Sequence, residues 1–130
     1  MLVTGYSLGV TSAADYTTIA YKPAGTRLWL RRYNGPRNRT DLARSVAVPG
    51  NGKVYVTGSS WSGTVNHDDY ATVAYNIFTG ARAWVRRYNG PANGGDECSS
   101  PASAPGATQA RTTPPSPTGD RKAARTRRCV

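Results

Sequence analysis

From Leu42 to Tyr88 the hydrophobic and β-branched residues fall into four short runs with turn-forming clusters between them, a pattern of strands rather than helices. The runs predict strands over residues 42–48, 53–59, 69–76 and 81–88. The connections "PGNG" (49–52), "SWSGTVNHD" (60–68) and "IFTG" (77–80) supply Gly, Asn or Pro where the chain must reverse. In the third run Ala71, Val73 and Tyr75 alternate with Tyr70, Thr72 and Ala74. Neither face is strongly polar, which predicts a strand covered on both sides. In the fourth run Trp84, Arg86 and Tyr88 alternate with Val85 and Arg87. Its charges stand where an outermost strand needs protection from edge-to-edge pairing.

The same text occurs earlier in the chain. "VTG" at residues 3–5 recurs at 56–58, "DYTTIAY" at 15–21 recurs as "DYATVAY" at 69–75, and "WLRRYNGP" at 29–36 recurs as "WVRRYNGP" at 84–91. The offset grows from 53 to 54 to 55 across segments rich in Gly, Ser, Pro or Asn, where loops accept an extra residue. Two homologous units with variable loops are therefore expected, the complete one having four strands. That period is the mark of β-propeller blades, and a small β-sandwich made from both units is the alternative.

Particular residues carry a family resemblance. "AYNIFTGARAW" (74–84) resembles the tryptophan-docking repeat of quinoprotein-like propellers, with Ala74, Thr79, Gly80 and Trp84 matching and Asn76 in place of an Asp. The wider unit "VYVTGSS…DYATVAYN…G…W…RYNGP" is similar to the bacterial repeats named for seven-bladed β-propellers, the SBBP repeats. The resemblance covers about residues 2–97. It implies an all-β fold in which Trp29 and Trp84 pack between adjacent blades, and the docking-turn glycines Gly25 and Gly80 permit the tight reversal ahead of them. Tyr21 and Tyr75, Asp15 and Asp69, and Asn34 and Asn89 complete the repeated structural positions. The first copy, "YKPAGTRLW" (21–29), is one residue shorter and lacks the Thr. The resemblance also implies a noncatalytic scaffold or interaction module, secreted or on the cell surface in full-length relatives.

The repeat is incomplete at both ends. Residues 1–41 read as a first blade without its first strand, together with its exit loop, and residues 42–97 as a complete blade. Residues 98–130 hold five prolines, no aromatic residue and no Leu, Ile or Met. Such a segment has too little to bury to offset its ordering entropy, so a disordered basic tail is expected. Two origins remain open: a flexible tail, or a slip of reading frame near Glu97, where the repeat stops mid-motif. The expected fold class is thus a partial β-propeller of about two antiparallel blades, the first incomplete, followed by this tail. Two blades cannot close a ring that needs 4 to 8, so exposed sheet faces and protein partners, either further blades or another copy, are expected.

Composition adds charge and little chemistry. The chain carries 17 Lys and Arg against 7 Asp and Glu, a net charge of +10. Residues 1–97 and 98–130 each contribute +5. Binding of nucleic acid or another anionic surface through the "DRKAARTRR" end is one possible use of that charge, and would weaken steeply with salt. The pairs Arg31–Arg32 and Arg86–Arg87 do not form such a patch, because neighbouring strand residues point to opposite faces. One arginine of each pair is expected to lean on an aromatic or span the blade rim, the other to be solvated. "NHDDY" (66–70) places His67 beside Asp69, too few ligands for a metal site, and "SAADY" in the first copy repeats only the Asp and Tyr. Asp15 and Asp69 are expected instead to satisfy turn amides. Cys98 and Cys129 lie in the tail and suggest neither a disulfide framework nor a metal site. A quinone-dependent dehydrogenase is the enzyme that the docking motif brings to mind, but the sequence offers neither its full ring nor a calcium cluster. No cofactor is expected and the chain is read as a non-enzyme. No apolar run reaches 18 residues, and the first ten residues lack the basic and apolar regions of a signal peptide.

Overall fold

A computed structural model describes residues 1–63, 68–92 and 94–96. Seven strands follow one another: β1 (Leu2–Leu8), β2 (Ala14–Tyr21), β3 (Arg27–Tyr33), β4 (Asp41–Ala47), β5 (Lys53–Trp61), β6 (Asp68–Asn76) and β7 (Arg82–Tyr88). They form two antiparallel meanders, a three-stranded sheet β1-β2-β3 and a four-stranded sheet β4-β5-β6-β7. The chain is all-β among the described residues, which contain no helix long and apolar enough to cross a membrane. The four strands expected over 42–88 appear within two residues of their predicted ends. The first unit has three strands, as its alignment on the second requires. The tail expected over 98–130, with Cys98 and Cys129, and His67 of the "NHDDY" segment lie outside the described residues.

The two sheets repeat each other in register. Val3 opposes Ile19, and Ile19 opposes Leu30. Val56 likewise opposes Val73, and Val73 opposes Val85. Irregularities fall at Ala20/Tyr21 and Ala74/Tyr75, the same place in both units. Even small hydroxyl contacts recur: Thr4 shares a hydrogen bond with Thr18 at 3.1 Å, and Thr57 with Thr72 at 3.3 Å.

The sheets pack face to face, with β4 against β1 and β2. The first contributes Tyr16, Ala20, Trp29 and Tyr33; the second contributes Ala43, Val54, Val56, Ala71, Val73 and Tyr75. This accounts for the apolar residues on one face of β6. Its Ala71, Val73 and Tyr75 face is sealed by the first sheet. On the opposite face Tyr70 and Thr72 remain half-buried. The expected cover on both faces is thus present on one. The first sheet has the same asymmetry, with Val3, Ile19 and Leu30 on its uncovered face, Val3 being 46% exposed.

Candidate interaction site: a tryptophan dock between two sheets

The contact between the sheets is built around the turn that follows β6. Asn76 starts it, its side-chain oxygen accepting the amides of Phe78 at 2.9 Å and Thr79 at 3.0 Å. Gly80 closes it by donating to the Asn76 carbonyl at 2.9 Å, with φ of 69°, a left-handed conformation that glycine adopts without a Cβ penalty. A side chain at Gly80 would also meet the indole of Trp29, whose Cδ2 lies 2.7 Å from the Cβ position. Glycine is needed here on both counts.

Trp29 enters this cradle from β3. Its Nε1–H donates to the Ile77 carbonyl at 2.9 Å, its ring lies 6.0 Å from that of Tyr75, and the residue is 5% exposed. Arg31, two residues on and on the same face, donates to the carbonyls of Gly80 at 2.8 Å and Thr79 at 3.1 Å. Deeper in the interface Tyr16 donates to the Ala71 carbonyl at 3.2 Å and meets Tyr33 edge-on, with centroids 5.3 Å apart. The first sheet thus places an indole, a guanidinium and a phenol on polar backbone groups of the second.

Arg87 ties the second sheet together beneath this contact. It donates to the Ser60 hydroxyl at 2.6 Å, the carbonyls of Ser60 and Trp61 at 3.1 and 3.2 Å, the Asp69 carboxylate at 3.2 Å and the Tyr33 hydroxyl at 3.3 Å. Arg32 repeats the arrangement on the first sheet, reaching the carbonyls of Ser7 and Leu8 and lying 3.6 Å from Asp15. Its side chain is 37% exposed against 22% for Arg87, the difference a covering sheet makes. Each arginine pair is split across the two faces as expected, but neither member is simply solvated. Arg31 bonds the docking turn, and Arg86 sits over the Trp84 ring at 5.9 Å. Arg32 and Arg87 span their own sheets to the carbonyls at the ends of β1 and β5.

The turn-amide role foreseen for Asp15 and Asp69 belongs to other aspartates among the described residues. Asp15 accepts from the Ser12 hydroxyl, and Asp69 from Arg87. Asp41 accepts the Gly35 amide at 2.5 Å, and Asp96 the Gly90 amide at 2.6 Å. The signal was present in the text: "NGPRNRTD" and "NGPANGGD" place an Asp six residues after each Gly of the octet. Asn34 and Asn38 brace the first of these loops, the Asn38 side chain reaching the Thr11 carbonyl. Burial raises the Asp41 carboxyl above its usual range; the Ser60 hydroxyl, the Gly35 amide and Arg87 offset only part of that rise, and Asp15 adds to it.

The remaining repeat positions mark the ends of the structure. Trp84 is half-buried, with Tyr55 at 5.6 Å and Arg86 as its ring neighbours, and Tyr88 is 55% exposed. Gly25 has φ of 86° like its counterpart Gly80, yet no described atom lies within 4 Å of its Cβ position. Tyr21 is half-buried. Of the paired positions, the structure brings Trp29, Tyr75 and Gly80 together at the sheet interface and leaves Trp84, Tyr21 and Gly25 on the two outer faces. Among the described residues no three His, Cys, Asp or Glu side chains converge as a metal site. No protein-family model matches the chain, and no curated protein matches it.

Two tyrosines in the interface differ in a way that experiment can read. The Tyr75 hydroxyl is buried without a hydrogen-bond partner among the described residues, whereas the Tyr16 hydroxyl holds the Ala71 carbonyl. Tyr75→Phe is expected to leave stability unchanged or raise it at neutral pH, and Tyr16→Phe to lower it by about 1 kcal/mol. Burial pushes the Tyr75 hydroxyl up to about 12, with Arg82 and Arg31 pulling it down, and burial raises Tyr16 as well. A folded-state pKa above the unfolded one means that the contribution is complete below about pH 10 and is lost as pH rises through the folded value. Urea unfolding should therefore show a decline above about pH 10, of up to roughly 1.4 kcal/mol per pH unit for each tyrosine, and each Tyr→Phe variant should flatten it.

Proposed function

We propose that the chain is a partial β-propeller of SBBP-repeat type, serving as a noncatalytic scaffold or interaction module in which each blade receives the tryptophan of its neighbour. The observation that carries this proposal is the seating of Trp29 from the first unit against Tyr75, Gly80 and the Ile77 carbonyl of the second. The equality of register in the two sheets supports it, because it makes the contact between them a contact between successive repeats. Repeat architectures stack by such nearest-neighbour contacts, and their stability grows with each added unit. A two-sheet sandwich has no reason to continue.

Fusing a second copy of residues 42–96 after residue 96 tests this. The blade reading predicts a higher melting temperature and a blue-shifted Trp84 emission as the added unit covers that face. Unchanged stability and emission would favour a closed sandwich and contradict it.

A further inference from the structure

The sheet interface uses one face of each sheet, and the repeat places the counterpart of each partner on the face left over. The uncovered face of the second sheet carries Trp84, Arg86, Tyr70 and Tyr88, at the positions from which Trp29, Arg31, Tyr16 and Tyr33 contact their neighbour. The uncovered face of the first sheet carries Val3, Ile19, Tyr21 and Gly25, at the positions of Val56, Val73, Tyr75 and Gly80. Exposure shows what covering does to such a position: Val56 is 0% exposed and Val3 is 46% exposed. The Gly80 cradle is filled by an indole, and the Gly25 turn, with the same sign of φ, is open among the described residues.

The geometry points to a head-to-tail contact between two copies of this chain, with Trp84 of one seated against Tyr21 and Gly25 of the next. This rests on the blade reading. Arg86 then stands where Arg31 bonds the Gly80 and Thr79 carbonyls, facing the turn that ends at Gly25. Tyr70 stands where Tyr16 bonds the Ala71 carbonyl, facing Thr17. The receiving turn is shorter by a residue, Gly25 donating to Lys22 where Gly80 donates to Asn76. The counterpart of the Ile77 carbonyl is therefore displaced, and ring stacking and the guanidinium are the contacts that carry over. Because the two faces differ, the contact is heterologous and propagates. It closes a ring if the rotation per copy permits: three or four copies supply the six or eight blades within the usual range.

Mixing two variants of the full chain tests the contact, with mass read by sedimentation. The wild type should exceed the 13.9 kDa monomer mass. Trp84→Ala removes the inserting ring, and Val3→Glu places a charge on the receiving face; each variant alone should sediment as a monomer. An equimolar mixture should form a one-to-one dimer and nothing larger, because each variant keeps one intact face. Arg86→Glu keeps the inserting indole and reverses the charge beside it, so it reads the guanidinium separately: a weaker assembly is expected for Arg86→Glu alone than for the wild type. A monomeric wild type, either of the first two variants assembling alone, or a mixture that stays monomeric would overturn the proposal. If the wild type is monomeric while Trp29→Ala still destabilises it, only the contact between copies fails. If Trp29→Ala has no effect, the blade reading beneath it fails.

Discussion

Replacing Trp29 with alanine is expected to lower the unfolding free energy by about 3–5 kcal/mol, whereas the same change at Trp84 costs about 1 kcal/mol at concentrations too low for association. The two residues share their sequence context, so propensity and composition cannot distinguish them. What differs is what lies across from each. Trp29 is buried against Tyr75 and Gly80 and bonds the Ile77 carbonyl; its removal opens a cavity and leaves that carbonyl without its partner. Trp84 lies half-buried on an outer face, against Tyr55 and Arg86 of its own sheet. Urea unfolding of the two variants and the wild type, followed by circular dichroism, reads the difference. Equal losses would mean that the repeat, rather than its neighbour, sets the role of the tryptophan.

Arg87→Met should cost about 3 kcal/mol, and Arg32→Met no more than about 1 kcal/mol. Methionine keeps most of the aliphatic stem and removes the charge. At position 87 this strands the buried Asp69 carboxylate and withdraws donors from Ser60, Trp61 and Tyr33 together. At position 32 the guanidinium is more exposed, and water replaces much of what it supplies. Adding Asp69→Asn to Arg87→Met should recover part of the loss, since much of the cost is the uncompensated carboxylate rather than the absent attraction. A double variant no more stable than Arg87→Met alone would show that the carbonyl bonds, not the ion pair, dominate.

Much of the fold was legible because repeats make one element testify for another. The alternation in β6 and the matching residues around β2 point to two like units, and the turn glycines take the left-handed conformation their positions imply. The partners of charged side chains were not legible. Alternation assigns Arg86 and Arg87 to opposite faces, but says nothing of whether a second sheet covers either. Arg87 is a half-buried hub because Tyr33 of the other unit closes over it, a contact 54 residues away in sequence. The place of Asp15 and Asp69 at the entry of a strand points to a turn role. Their spacing to the arginines, 17 and 18 residues, carries meaning only once β2 and β3, or β6 and β7, are paired. Asp41 and Asp96, which hold turn amides, are legible from a repeated six-residue spacing after Gly35 and Gly90.

Trp29 docks in the neighbouring unit while its twin, Trp84, stands on an outer face. Hydrogen exchange of the two indole Nε1–H groups, followed by nuclear magnetic resonance in the Val3→Glu variant so that association does not intervene, tests it most directly. The Trp29 indole, bonded to Ile77, should exchange only through opening of the sheet interface, with protection approaching that of the core strands, and the Trp84 indole should exchange orders of magnitude faster. Similar exchange rates for the two would contradict the docked arrangement.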